Sequence, residues 1–134
     1  MSSKSMTVSF PGGKKVNAHY DGFEILTDQA PDSGGEGSAP EPFDLFLASL
    51  ATCAGIYVLG FCQKRKIPSD GIRLTQSWER DEKSRRLTTI RINIEVPPDF
   101  PEKYHSALVR AAGQCAVKKT MENSPEFQVE TVVV

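Results

Sequence analysis

The sequence predicts an α+β fold in the order βββ-α-ββ-α-β, and three observations carry that prediction. Ile72, Leu74, Gln76 and Trp78, and then Ile90, Ile92, Ile94 and Val96, alternate with polar neighbours as two half-buried antiparallel strands do. The run FDLFLASLATCAGIYVLGFC, residues 43–62, has a single charged side chain, Asp44, and is far too long for a strand. Further on, Tyr104, Leu108, Ala111, Ala112 and Cys115 fall on one stripe at helical spacing.

Each element follows in order. Met6 to Phe10, the PGGK turn and Lys15 to Tyr20 predict a hairpin. Asp21-Gly22 between alternating apolar positions is a two-residue hairpin signal, leading into a third strand from Phe23 to Thr27. Residues 28–40 are rich in Gly, Pro and Ser and show no periodicity, which predicts a mobile loop. The long apolar helix follows, then a turn at Pro68-Ser69-Asp70-Gly71 and the strand pair, joined through Arg80 to Arg86. Val96-Pro97-Pro98 ends the pair, and Asp99 with Glu102 fits the spacing of a capping box, with Pro101 in the first turn. The second helix is expected to run to about Asn123, stopped by Pro125, before a last strand from Phe127 to Val134. No internal repeat interrupts this order, so residues 1–134 are expected to form one domain.

Composition narrows the function classes. Hydrophobic residues make up 39% and charged residues 25%, a soluble globular balance. Sixteen basic and seventeen acidic side chains nearly cancel, so no global field favours nucleic acid or an anionic membrane surface as partner. The basic clusters Lys64-Arg65-Lys66 and Lys83-Ser84-Arg85-Arg86 fall where a helix and a hairpin should end and read as solvated termini. Three cysteines, an odd count, argue against a secreted disulfide framework, and the first residues lack the apolar core of an export signal. A cytoplasmic location is expected.

The apolar run could by length alone cross a membrane, since about 20 residues span the hydrocarbon core. Ser49, Thr52, Gly55 and Gly60 dilute it, Asp44 would be costly in lipid, and the amphipathic strands on either side suit a soluble sheet. A helix apolar on all faces must be buried on all faces, and one small domain can hardly wrap it. A second copy of the chain would complete the burial, which predicts a homodimer with this helix at its centre.

The cysteines sort by helix geometry. Cys53 and Cys62 are nine residues apart, which puts them on opposite faces of the helix and about 13 Å apart along its axis. They cannot bridge within one intact helix, so any intrachain disulfide uses Cys115. Cys53 lies among Ala48, Ala51, Ala54 and Gly55, and Cys115 among Ala111, Ala112, Gly113 and Ala116, small residues that permit close approach of two helices. Cys62, beside Leu59 and Phe61, reads as packing. Buried cysteine commonly serves as a small hydrophobe, so inert packing of all three thiols stays open on the residues alone. His19, His105 and the cysteines show no short ligand spacing, and no metal site is expected.

Together, PFDLFLASLATC around the first cysteine and CAVKKTMENSPEFQVE from the second resemble the OsmC-like family of osmotically inducible and organic hydroperoxide resistance proteins. The resemblance covers most of the chain. It implies an intertwined homodimer with the central helix buried between subunits, and a cysteine-based peroxidase that needs no cofactor. In that chemistry Cys53 attacks the peroxide as thiolate and becomes a sulfenic acid, Cys115 condenses with it to a disulfide, and an external dithiol reopens the bridge. Phe43, Leu50, Ile56 and Tyr57 would offer an apolar pocket suited to an organic hydroperoxide.

The chain departs from the family where the thiolate is stabilised. Family peroxidases use an arginine from the N-terminal strands and a glutamate at the start of the central helix. Here no arginine precedes Arg65, and Phe43 stands where the glutamate is expected, with Asp44 adjacent. Lys14, Lys15 or His19 could stand in as the cationic group that a thiolate in apolar surroundings requires. Asp44 points away from Cys53 on the same helix and could serve only the cysteine of a partner subunit. Glu36 or Glu41 could reach inward from the loop, whose Gly34, Gly35 and Gly37 would permit its movement as a lid. Ala116, where the family often has proline, predicts that Cys115 sits in a regular helix. Two alternatives to peroxide reduction stand beside it: a thiol-redox activity on another substrate, and binding of a small apolar ligand with the cysteines merely packed.

Overall fold

The structure, a computed structural model, describes residues 3–134. The chain forms two compact units whose boundary, between Ala48 and Ser49, falls within the long helix.

The N-terminal unit opens with an antiparallel sheet of β1 (Thr7–Gly12), β2 (Lys15–Tyr20) and β3 (Phe23–Thr27), with β2 in the middle. Asp21 and Gly22 both take positive φ, 50° and 80°, as a type I′ turn requires, and set Tyr20 opposite Phe23. Residues 28–40, expected to be mobile, are instead hydrogen-bonded end to end. The Asp28 amide donates to the Pro40 carbonyl at 3.1 Å and the Gly37 amide to Gln29 O at 2.9 Å. Inside this closure the Asp28 carboxylate, 1% exposed, accepts the amides of Gln29 (2.7 Å), Glu36 (3.3 Å) and Ser38 (3.0 Å) and the Ser38 hydroxyl (2.6 Å). The low hydrophobicity of the segment removes a core but not a hub: one buried carboxylate organises it. Gly35 is required there, because a Cβ would lie 2.0 Å from Gln29 O.

The central helix, α1 (Pro42–Lys64), begins with a carboxylate cap: Asp44 Oδ2 accepts the Glu41 amide at 3.0 Å. Its buried stripe is Leu47, Leu50, Ala54, Val58, Phe61 and Cys62. On the other side Ile56 and Tyr57 are 58% and 40% exposed. By length and composition α1 could cross a membrane. Val58, Phe61 and Cys62 of its inner stripe, however, belong to the core of a folded unit.

That core, in the C-terminal unit, joins Val58, Phe61 and Cys62 of α1 to Phe100 and Leu108. Around it lie β4 (Arg73–Arg80) and β5 (Leu87–Glu95), an antiparallel pair in which Leu74 faces Ile94, Gln76 faces Ile92 and Trp78 faces Ile90. The alternation in the sequence therefore sets the register.

Beyond β5 the expected continuous helix differs in three ways. Residues 97–100 close a tight turn, with the Phe100 amide donating to Pro97 O at 3.0 Å, and Phe100 is buried. Asp99 is used in that turn, so no capping box forms, and a short 3-10 turn, Glu102–Tyr104, starts after Pro101 with no side-chain cap. The helix then breaks into α2 (His105–Ala112) and α3 (Ala116–Glu122) at Gly113-Gln114, where glycine lowers the helical preference by about 1 kcal/mol. Cys115 is consequently not in a regular helix: with φ −46° and ψ 120° it is the N-cap of α3. Finally, Phe127–Val134 forms no strand. The two sheets of the described residues do not include it, and Val129 is 97% exposed. A strand needs a neighbouring strand to pair with, and among the described residues this segment pairs with neither sheet.

Candidate functional site

Cys53 comes from the middle of α1 and Cys115 from the junction of α2 and α3, both within the C-terminal unit. The break at Gly113-Gln114 turns the chain so that α3 starts beside α1. Its first amides are then free to donate, because a helix leaves its N-terminal N–H groups without partners of its own. Cys115 takes one of them: its sulfur accepts the Lys118 amide at 3.4 Å. The Cys115 thiol in turn donates to the Leu50 carbonyl of α1 at 3.9 Å, and Cys53 is near enough to affect its ionisation.

The two thiols are differentiated by these surroundings. The Val117 amide, then the Cys115 thiol, and more weakly the Ala116 amide, hold Cys53 below the usual thiol range, against the opposing effect of partial burial. Burial pushes Cys115, 2% exposed, upward, and the neighbouring Cys53 adds to that push while the Lys118 and Val117 amides oppose it. Of the two, Cys53 is therefore the more readily ionised thiol. Cys62 is completely buried, and burial raises its pKa with Arg65 offsetting only part of the shift. It belongs to the core, as its setting predicts.

Next to Cys115 lies a half-open cavity of about 540 Å³, which Cys53 does not line. Leu50 and Ala54 of α1, Ile90, Ile92 and Ile94 of β5, and Met121 of α3 make it largely apolar, and Cys115 opens onto it. Lys118 is its one charged lining side chain. Of the pocket residues expected from sequence, Leu50 lines this cavity, whereas Phe43, Ile56 and Tyr57 are exposed in the single chain.

Four of the charged residues expected to support the thiolate, Lys15, Glu36, His19 and Asp44, are engaged within the N-terminal unit. Lys15 pairs with Glu36 at 3.2 Å, His19 is hydrogen-bonded to Ser9 at 2.9 Å, and Asp44 caps α1 through the Glu41 amide. Lys14 lies against Gly34, its side chain 3.5 Å from where a Cβ would be. The contributions that lower Cys53 are hydrogen bonds, chiefly backbone amides, in the place where a cationic side chain was expected. Ala116, Val117 and Lys118 were not legible as site residues, because an amide donor has no residue type. Gly113 was the signal that could have found them, since a helix end there makes the next residues a helix start. No group of three or more metal-ligating side chains occurs among the described residues.

Comparison with known proteins agrees with this architecture. The family model for OsmC-like protein matches residues 35–130, which include both cysteines. A protein from Psychrobacter arcticus 273-4, named for osmotic stress induction and detoxification response, superposes with a TM-score of 0.75 at 24% identity, over 90% of this chain and 89% of that one. An OsmC like protein from Mycoplasma pneumoniae gives a TM-score of 0.70 at 16% identity, over 92% and 89% of the two chains. The organic hydroperoxide resistance protein OhrB of Bacillus subtilis gives 0.50 at 25% identity, over 90% and 92%. No curated protein matches the sequence. With the family match spanning α1, the strand pair and both cysteine segments, and solved structures of the same fold along nearly the whole chain, the chain belongs to the OsmC-like protein family.

Proposed function

We propose that this protein is a thiol peroxidase that reduces organic hydroperoxides, acting through Cys53 and Cys115 as a cytoplasmic homodimer in oxidative stress defence. The observation that carries the reading is the unequal thiol pair: Cys53 held below the usual thiol range by backbone amides, and a buried Cys115 pushed above it that opens onto an apolar cavity. Structural neighbours named as organic hydroperoxide resistance proteins support the substrate class.

The steps balance on these residues. The Cys53 thiolate attacks the outer peroxide oxygen, the S–O bond forms as O–O breaks, and the leaving alkoxide takes a proton and departs as alcohol. Cys53 is now an uncharged sulfenic acid. The charge that had helped keep Cys115 protonated is gone, so Cys115 ionises more readily, attacks the sulfenic sulfur and expels water. The resulting disulfide is reopened by an external dithiol through thiol–disulfide exchange. Apolar walls favour a hydroperoxide with a hydrocarbon body over hydrogen peroxide.

The homodimer reading is supported by what the single chain leaves uncovered. Ile56 and Tyr57 on α1 and the valine-rich segment Phe127–Val134 are all exposed, and each would be covered by a second copy. The C-terminal segment would pair with a sheet edge of that copy, restoring the last strand that the sequence pattern predicts and intertwining the subunits.

The test is stoichiometric cumene hydroperoxide, with hydrogen peroxide in parallel, followed by peptide mapping of thiols. A Cys53–Cys115 disulfide within seconds, formed faster with the organic peroxide and abolished by Cys53→Ser, is expected. Thiols still reduced after minutes would refute peroxide reduction. The apolar cavity favours one alternative, a small-ligand-binding protein of the same fold, and that reading predicts saturable binding of an apolar probe with both thiols unchanged.

A further inference from the structure

Cys115 has two structural roles that use the same sulfur. It is the neighbour of Cys53, and it is the N-cap of α3, accepting the Lys118 amide at 3.4 Å. Helix α3 depends heavily on that cap. It is seven residues long, buries none of its side chains, and so draws little stability from packing, while a helix this short has almost none of its own. The remaining support is exposed: a Lys118–Glu122 pair at 3.7 Å, and side-chain bonds of Lys119 to Gln114 (2.6 Å) and of Thr120 to the Ala116 carbonyl (2.8 Å). Through Lys118 and Met121 this weakly held helix forms part of the wall of the apolar cavity onto which Cys115 opens.

We propose that α3 is a redox-responsive wall: forming the Cys53–Cys115 disulfide removes its N-terminal cap, loosens the helix and opens the cavity over the Cys115 sulfur. The inference rests on the reading of these two thiols as a redox couple. A hydroperoxide takes two electrons from Cys53, giving alcohol and the sulfenic acid, and condensation with the Cys115 thiol forms the S–S bond and releases water. The cap at the start of α3 is lost: the Cys115 sulfur becomes a poorer acceptor and is redirected, because the C–S–S–C dihedral must lie near 90°. The reduced form thus presents a walled cavity to the hydroperoxide, and the disulfide form exposes its sulfur to the dithiol that must reach it.

Hydrogen exchange of the full chain, read by mass spectrometry on peptides covering residues 116–123, tests this. Four samples are compared: reduced protein, protein oxidised with diamide, and the reduced Cys115→Ala and Cys115→Ser variants. The oxidised protein and Cys115→Ala should exchange about tenfold faster in α3 than the reduced protein, the size expected for loss of one cap. Cys115→Ser should remain protected, since serine caps helices well and cannot form the disulfide. A peptide over Val58–Cys62 should be unchanged in all four, which separates local loosening from misfolding. An oxidised sample with a mapped Cys53–Cys115 bridge but unchanged α3 exchange would overturn the proposal and leave the peroxidase reading intact. So would a Cys115→Ala variant as protected as the parent. If diamide forms the bridge and loosens α3 while hydroperoxides form none, the wall stands and the peroxidase reading fails; if diamide forms no bridge, both fail.

Discussion

Two neighbouring thiols with different surroundings ionise unequally, and the difference decides which of them can act as a nucleophile. Backbone amides, Val117 foremost, hold Cys53 below the usual thiol range, and burial pushes Cys115 above it. Thiolate fraction rises as pH passes the pKa, so the group held below the usual value of about 8.5 is the first to react as pH is raised. Alkylation with iodoacetamide between pH 5 and 10 is therefore expected to modify Cys53 first, at a midpoint below that of a free thiol. Cys115 and Cys62 should follow only at higher pH, and an order with Cys115 first would contradict the assignment. Cys62 supplies the contrast. Its sulfur is fully enclosed by the core around Phe61 and Leu108, so Cys62→Ser buries a hydroxyl with little to bind and should cost about 1–3 kcal/mol in denaturant unfolding. The same variant should form the Cys53–Cys115 bridge as the parent does. The separation of these cysteines was legible from residue spacing, because nine positions along a helix reverse the face. The stabilising donors were not legible, since they are main-chain groups whose direction depends on where a helix ends.

At the scale of elements, each boundary follows from a local contest between propensity and hydrogen bonding. The turn at Asp21-Gly22 and the alternation of β4 and β5 are short-range patterns, and the structure reproduces them in register. The loop after β3 obeys a longer-range rule: its order comes from Asp28, whose carboxylate is met by donors up to ten positions away. No window of composition contains that information. Chiefly the Ser38 hydroxyl, then the Ser38 and Gln29 amides, hold Asp28 down at about 2. A carboxylate whose pKa is lower folded than unfolded contributes stability above the unfolded value near 4, and loses that contribution as pH falls through the folded value. Hydrogen exchange over residues 29–39, corrected for the pH dependence of intrinsic exchange, should therefore show protection that is constant above about pH 4 and declines toward pH 2. Asp28→Asn, which keeps one acceptor oxygen but removes the charge, should expose the loop at neutral pH. A protected loop in that variant would mean that the carboxylate is not its organiser. The second helix shows the opposite failure: an apolar stripe continuous through Cys115 conceals a break that Gly113 imposes.

At the scale of the molecule, the unusual apolarity of α1 divides into two parts. One stripe is accounted for by the chain's own core, and the outward Ile56 and Tyr57 are not. Paired with the unpartnered C-terminal valines, they motivate the dimer. Sedimentation at micromolar concentration should give twice the chain mass, and Ile56→Glu, which places a charge at that surface, should shift it toward one chain. A monomeric parent protein would remove this part of the account. The expected last strand has the same physical origin: its pattern is that of a strand, but a pattern specifies only what could pair, and in the proposed dimer its partner strand is supplied by the other copy. No arginine precedes Arg65, and Phe43 stands where the family resemblance implies a glutamate; in the proposed site, hydrogen-bonding amides hold Cys53 below the usual thiol range instead. Whether that suffices for catalysis is tested most directly by trapping the first intermediate. In the Cys115→Ser variant, a sulfenic acid formed at Cys53 by cumene hydroperoxide cannot be resolved by its neighbour. Dimedone added with the peroxide should therefore label Cys53 within seconds, as read by mass spectrometry; a Cys53 left unlabelled, or a label found on Cys62 instead, would contradict the assignment of Cys53 as the attacking thiolate.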